Sequence, residues 1–405
     1  MKAVVQTYNT IPEAKASTAG SGRLLTALIV GQLGLHGAMA GLRLAAPLQA
    51  LKEGYSAWAV GLLLALFAAA PVLLALHSGR LADRFGYHKP VVLAAMLAGI
   101  GVSLAVASTF VRGWPHFAML CFAATLAGSG ANMGMLTIQR TAGLAARSAT
   151  ERVRVFSWLG IAPSFANVIG PVSAGFMIDA QGFAAAYAML LLLPLATLFT
   201  ARQVPQLPPP PQRVVLADSS AWDLLDAPGM KRLLVINLLL STCWDVHSFA
   251  VPLLGHERGF TASTIGMILG SFTLSVTAVR LLMPVIAHRL EENQVLRAAM
   301  LGTALVFALY PLADSPQLMG VCAVLLGLTL GAVQPMIMST LHHLTPDQRH
   351  GEALALRSMA INASSTLMPL LFGATGAVVG AAVLFWAVGG AVGAGSWMAR
   401  RIVPC

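Results

Sequence analysis

Hydrophobic residues run along this chain in long blocks, each broken by a short cluster of charge, proline or glycine. A helix needs about 20 mostly apolar residues to cross a bilayer, since each residue advances it about 1.5 Å through some 30 Å of hydrocarbon. Twelve blocks meet that length, at residues 24–48, 57–78, 90–111, 116–139, 156–177, 182–201, 232–254, 261–286, 294–312, 317–341, 356–378 and 380–399. The pattern predicts an all-α membrane protein with twelve transmembrane helices. The first block is too long for a cleaved signal peptide and is expected to stay.

Between the sixth and seventh blocks the pattern changes. Residues 202–231 carry Pro205, the run Pro208 to Pro211, and the acids Asp218, Asp223 and Asp226. Proline-rich polar sequence favours an extended polyproline conformation, so this segment is expected to be a cytoplasmic linker. It divides the chain into an N-terminal six-helix bundle, residues 1–201, and a C-terminal one, residues 232–405. The bundles echo each other. Arg23-Leu24-Leu25 opens the first block and Arg232-Leu233-Leu234 the seventh. The spacing from Gly61 to Asp83-Arg84 equals that from Gly266 to His288-Arg289, and Gly130-Ala131-Asn132 parallels Gly331-Ala332-Val333. Two pseudo-symmetric bundles related in this way are how many secondary transporters are built, with the site between them near the midplane.

Composition sharpens the picture. Of 405 residues, 57% are hydrophobic and 10% charged, where a soluble domain carries roughly 25% charge. That balance excludes an ordinary soluble enzyme and excludes disorder. The net charge of +10 invites a nucleic-acid reading, but the placement of the bases argues against one. Of 25 Lys and Arg, Lys52, Arg112 and Arg258 fall in one set of loops, Arg43 and Arg280 fall deep within blocks, and the other 20 lie in the other set or at the block ends that adjoin it. Positive charge stays on the cytoplasmic side, so both termini are expected inside. Trp58 and Trp114 then sit at the outer interface. Basic inner loops suit a bacterial inner membrane. Cys121, Cys243, Cys322 and Cys405 form no C-x-x-C pair, and no disulfide framework or metal site is expected.

After the second block stands Gly79-Arg80-Leu81-Ala82-Asp83-Arg84-Phe85-Gly86-Tyr87-His88-Lys89. This resembles the signature loop of the major facilitator superfamily, and its place after the second of twelve spans agrees. The resemblance implies the two-bundle fold of that family. It also implies that Asp83, with Gly79, Arg84 and Gly86, steadies one end of an alternating-access cycle against the start of span eleven. Fixing topology alone is the other reading of Asp83 and Arg84. In span five, Gly170-Pro171 and Gly175 resemble a motif that the family associates with proton-coupled exporters. As small residues and a proline they also suit close packing and bending of any membrane helix. Two family features are missing: an arginine in the outer half of span four, where Cys121 to Thr125 stand, and an acid in span one.

Charge at bilayer depth costs about 3 kcal/mol or more per group, so each such residue needs a reason. Asp245 is the one acid inside a span. A carboxyl at that depth is able to hold and release a proton near neutral pH, and a structural ion pair with Arg43 or Arg280 is the alternative. Span one carries Gln32, His36, Met39 and Arg43 on one helical face. His36 is a second candidate for proton coupling or a satisfied buried hydrogen-bonder. Arg43 is a candidate for holding an anionic substrate group or for neutralising Asp245. Arg280 lies in span eight, beside Thr273 and Thr277. Asn132, Asn167, Gln334 and Asn362 lie in spans four, five, ten and eleven, as substrate contacts or as glue between helices. His247 is expected on the face opposite Asp245, packed against a neighbour. His342, His343 and His350 are expected to be solvated loop residues. No hydrolase or ATPase motif occurs.

The expected function is secondary active transport of a small organic solute by alternating access. Asp245 and His36 would carry protons, and Gln32, Arg43, Asn132, Asn167, Arg280, Gln334 and Asn362 would contact substrate. Efflux by proton antiport is favoured by Gly170-Pro171, with proton-coupled uptake of an organic anion or zwitterion the alternative and a ligand sensor a third. The protein is expected to be a monomer in the bilayer that is not an enzyme and uses no cofactor, metal or nucleic acid.

Overall fold

The computed structural model describes residues 18–145, 149–205, 221–286, 291–345 and 350–401. Among them there is no strand. Six long helices come first: α1 (Thr18–Lys52), α2 (Ala57–Phe85), α3 (His88–Ser108), α4 (Trp114–Ala145), α5 (Ala149–Gln181) and α6 (Phe183–Ala201). A short 3-10 helix, Ala221–Asp226, precedes α7 (Met230–Glu257), α8 (Ala262–Ile286), α9 (Glu292–Leu309), α10 (Pro316–Gly331), α11 (Val333–Leu344), α12 (His350–Val379) and α13 (Ala381–Gly395).

Ten stretches are long and apolar enough to cross a membrane, with α10 and most of α11 counted as one. With 33 and 30 residues, α5 and α12 are also long enough. Two expectations need correction. The tenth span is interrupted at Ala332, because Pro335 has no amide hydrogen for the Gly331 carbonyl. The linker is also not wholly extended. Its last part forms the 3-10 helix, which buries Leu224, and Asp226 accepts a 2.9 Å bond from Lys231 in an exposed pair. Pro208 to Pro211 and Asp218 lie outside the described residues, as does Cys405.

The two halves repeat their turns. Single glycines link α5 to α6 and α12 to α13: Gly182 has φ +86° and Gly380 has φ +82°. Only glycine adopts that backbone without strain, so equivalent positions in the two halves use the same device. Large apolar side chains such as Leu73, Leu192 and Phe199 remain exposed, as helices facing lipid require.

Within the first half, α1 packs on α5 and α6, and α4 on α2 and α3; within the second, α7 packs on α12, α8 on α10, and α9 on α13. The halves meet mainly through two pairs, α5 with α8 and α2 with α12, with lesser contact of α7 on α1 and α2. Both crossings lie toward the end of the bundle opposite the termini, and both bring backbone against backbone. A Cβ on Gly61 of α2 would strike the Pro369 carbonyl oxygen of α12 and come within 3.0 Å of Gly373 Cα. One on Gly175 of α5 would lie 2.5 Å from the Ala262 carbonyl oxygen of α8, and one on Gly266 would lie 2.6 Å from the Pro171 carbonyl oxygen. Asp179, near the end of α5, adds a polar tie. Its two carboxylate oxygens accept from the Ala262 and Ser263 backbone amides at 3.0 and 2.7 Å. A residue of one half thus caps the first turn of a helix in the other.

Several helices contain prolines: Pro47 in α1, Pro163 and Pro171 in α5, Pro252 in α7 and Pro369 in α12.

Candidate functional site

A cavity of about 460 Å³ lies between the halves. The first half contributes His36, Met39 and Arg43 from α1, and Ser164 and Asn167 from α5. The second half contributes Asn237, Ser241, Trp244 and Asp245 from α7, and Thr273, Val276 and Arg280 from α8. Gln334 joins from α11, and Arg357, Ile361 and Ser365 from α12. These positions are nearer the terminus-bearing end than the glycine crossings, so the halves are tied together on one side of the cavity. A smaller space of about 50 Å³ adjoins it, bounded by Arg43, Asn167, Pro171, His247 and Ser248 among others.

Asp245 is buried, at 4% exposure. Its ties are hydroxyls: Ser364 Oγ donates to Oδ2 at 2.7 Å and Ser365 Oγ to Oδ1 at 3.2 Å. Thr242 Oγ1 lies 3.3 Å from Ser364 Oγ and extends the network back to α7. Arg43 is within electrostatic range of Asp245, but no ion pair within 4.0 Å joins them. Its guanidinium lies over the Phe67 ring, 6.0 Å from the centroid. His36 Nε2 is 3.5 Å from Asn167 Nδ2, linking α1 to α5 at the cavity wall.

Arg280 and Arg357 form a second positive pole, close enough to interact electrostatically. Arg357 Nε donates to Asn237 Oδ1 at 3.1 Å, and Arg280 Nε is buried without a hydrogen-bond partner. Among the described residues the ion pairs are Lys231–Asp226, Arg258–Asp314 and His343–Glu292, none of them in the cavity.

The structure therefore brings His36, Arg43, Asn167, Asp245, Arg280 and Gln334 to one cavity. It leaves three expected contacts elsewhere. Gln32 is buried at 2% exposure with its Oε1 unpartnered, outside the lining. Asn132 is half-buried in α4 and Asn362 is exposed on α12, both outside the lining. His247 is fully buried, with Nε2 3.1 Å from the Tyr310 hydroxyl and its ring against Phe272.

Gly170 sits where α5 crosses α1, its missing Cβ leaving room for Gly37 and Gly41, while Pro171 meets α8 at Gly266. In the loop after the second span, Gly86 has φ +70° and ends α2 by donating to the Ala82 carbonyl. Arg84 is exposed and stacks over Phe85 at 5.2 Å. Gly79 and Asp83 lie within the helix α2 and not in a loop, and the Asp83 side chain falls outside the described residues. Among the described residues no cluster of three His, Cys, Asp or Glu is able to hold a metal.

Sequence reasoning missed Ser364, Ser365, Arg357 and Asp179. Ser364 and Ser365 had no periodic signal beyond being polar in a span. Arg357 was assigned to the cytoplasmic flank with the other bases.

The sequence profile of the Major Facilitator Superfamily matches residues 28–227 and 233–404. The chain is 25% identical to the enterobactin exporter EntS of Shigella flexneri over 342 residues, 84% of this chain and 81% of that protein. It is also 25% identical to the enterobactin exporter EntS of Escherichia coli O1:K1 / APEC over 346 residues, 84% and 82% of the two chains. Among solved structures it resembles the nucleoside transporter NupG, with TM-score 0.75 and 13% identity over 94% of this chain and 100% of that one. A POT family transporter in complex with 5-aminolevulinic acid gives TM-score 0.74 at 13% identity, over 92% and 94% of the chains.

Proposed function

Because the chain belongs to the Major Facilitator Superfamily, and is therefore a multi-pass membrane transporter built as two helical halves, we propose that it exports a small organic solute in exchange for protons. The observation that carries this reading is Asp245, a carboxylate in a cavity shared by both halves, held by Ser364 and Ser365. The two hydroxyls, at 2.7 and 3.2 Å, fix the carboxylate in the wall of the cavity from which substrate loads. The exporter names of the relatives support the direction.

The cycle runs by rocking the halves about their central site. The cavity faces the terminus-bearing end, which the Lys and Arg bias assigns to the cytoplasm of a bacterial inner membrane. Substrate enters there while Asp245 is ionised. The glycine crossings and the Asp179 cap then part, the opposite end opens, and substrate leaves. A proton loads Asp245 from that side, with His36 and Asn167 lining the same cavity, and the halves return. Gly170, Pro171, Gly79, Asp83, Arg84 and Gly86 shape the helix crossings and the loop that the two end states exchange.

The test is proton movement in inverted vesicles that contain the protein. Candidate solutes are added to energised vesicles, with wild type and Asp245→Asn side by side. Proton release in wild type alone supports the exchange and the role of Asp245. Equal responses in both remove Asp245 from the coupling path. No response from folded protein excludes export of the solutes tried, and uptake of solute together with protons in right-side-out vesicles then makes the protein an importer in symport.

A further inference from the structure

The cavity is lined by three arginines and one aspartate, a surplus of two positive charges between the halves of a membrane protein. Such a surplus is costly unless something negative accompanies it. Asp245 offsets at most one arginine, and Arg43 is the one whose charge it feels. Arg280 and Arg357 line the same cavity within electrostatic range of each other, with no carboxylate within 4.0 Å of either among the described residues. Asn237 fixes the Arg357 guanidinium through Nε alone, which leaves its terminal nitrogens for a ligand. The buried Arg280 Nε also has no partner. Guanidinium forks recognise planar two-oxygen acids by paired hydrogen bonds. The neighbouring wall is different in character: Trp244, Val276, Leu330 and Ile361 offer an aromatic face and aliphatic surface.

We infer that the substrate is an amphipathic organic anion, whose acid group docks on Arg280 and Arg357 and whose apolar body lies along Trp244 and Ile361. This rests on the reading of the cavity as the substrate site and holds for transport in either direction. It makes Arg357, at the start of span eleven, a specificity-determining residue. It also separates two tasks: the arginine pair handles substrate charge, and Asp245 handles the proton.

The test is calorimetric binding to the purified full chain in nanodiscs of neutral phospholipid. Three probes share one scaffold: biphenyl carboxylate, biphenyl carboxamide and biphenyl trimethylammonium. The carboxylate is expected to bind about tenfold or more tighter than either counterpart. Arg280→Gln and Arg357→Gln are expected to remove that advantage, Arg357→Lys to restore part of it, and Asp245→Asn to tighten carboxylate binding by removing a negative charge. Equal binding of the three probes, preference for the cation, no binding at all, or weaker carboxylate binding in Asp245→Asn would each overturn the inference. The measurement uses no gradient and no coupling. A failed antiport reading therefore leaves it intact, and a failed anion assignment leaves proton exchange standing.

Discussion

Removing the Asp179 carboxylate should unlatch one end of the transporter. In the arrangement described, this side chain caps α8 from the other half of the molecule. Asp179→Ala deletes both bonds and leaves two backbone amides of the first helical turn to water. Loss of an N-cap costs about 0.5–2 kcal/mol, and the exposure of Asp179 places this one in the lower part of that range. The cost falls only on the state in which the halves touch, so it appears as a shift between states rather than as unfolding. The equilibrium should move by a factor of about 2–8 toward the state open at that end. If about 5% of molecules are open there in wild type, a fourfold shift makes it about a sixth. Spin labels at Arg112→Cys, in the turn before α4, and Gln317→Cys, at the start of α10, in a background without native cysteines, report the separation by pulsed dipolar spectroscopy. Asp179→Asn keeps one side-chain oxygen as acceptor and should give an intermediate population. A distance distribution in Asp179→Ala equal to wild type, in protein that melts at the wild-type temperature, would refute the reasoning.

Two further outcomes are expected. Gly61→Ala places a methyl against the Pro369 carbonyl and Gly373; overpacking of this kind costs about 1–3 kcal/mol, so it should shift the same labels the same way and add to Asp179→Ala, because the two crossings share no residue. Tyr187→Phe strips the buried Gln49 Oε1 of a 2.7 Å hydrogen bond; stability should fall by about 1–3 kcal/mol, seen as a lower melting temperature with the label distances unchanged, and an unchanged melting temperature would contradict it.

Much of the fold was legible because span length and apolar content are local properties that the bilayer imposes on each helix separately. The repeat was legible for the same reason, and the glycine turns at Gly182 and Gly380 are its structural counterpart. The cavity was legible only in part. Charge at bilayer depth singled out Arg43, Asp245 and Arg280, all of which line it. Polarity alone did less well: Gln32, Asn132 and Asn362 have the residue type but lie outside the lining, because helical periodicity gives a face and not the neighbour it meets. Arg357 hid among cytoplasmic bases, since a count of loop charge cannot say how far a helix end tilts inward. Asp179 carried no local signal at all. Its partner amides lie more than 80 residues away in sequence, and only the packing of α5 on α8 joins them.

The prolines within the helices bear on water. Proline supplies no amide hydrogen, so the carbonyl four residues earlier loses its helical donor. For Pro47, Pro171, Pro252 and Pro369 those carbonyls belong to Arg43, Asn167, Ser248 and Ser365. All four residues line the two adjoining spaces between the halves. A backbone oxygen cannot stay dry and unpaired inside a membrane, and on a cavity wall the donor within reach is solvent. The four prolines thus leave backbone acceptors without helical donors at residues that line the two spaces, so their walls offer carbonyl oxygens as well as arginine and hydroxyl groups to whatever fills them.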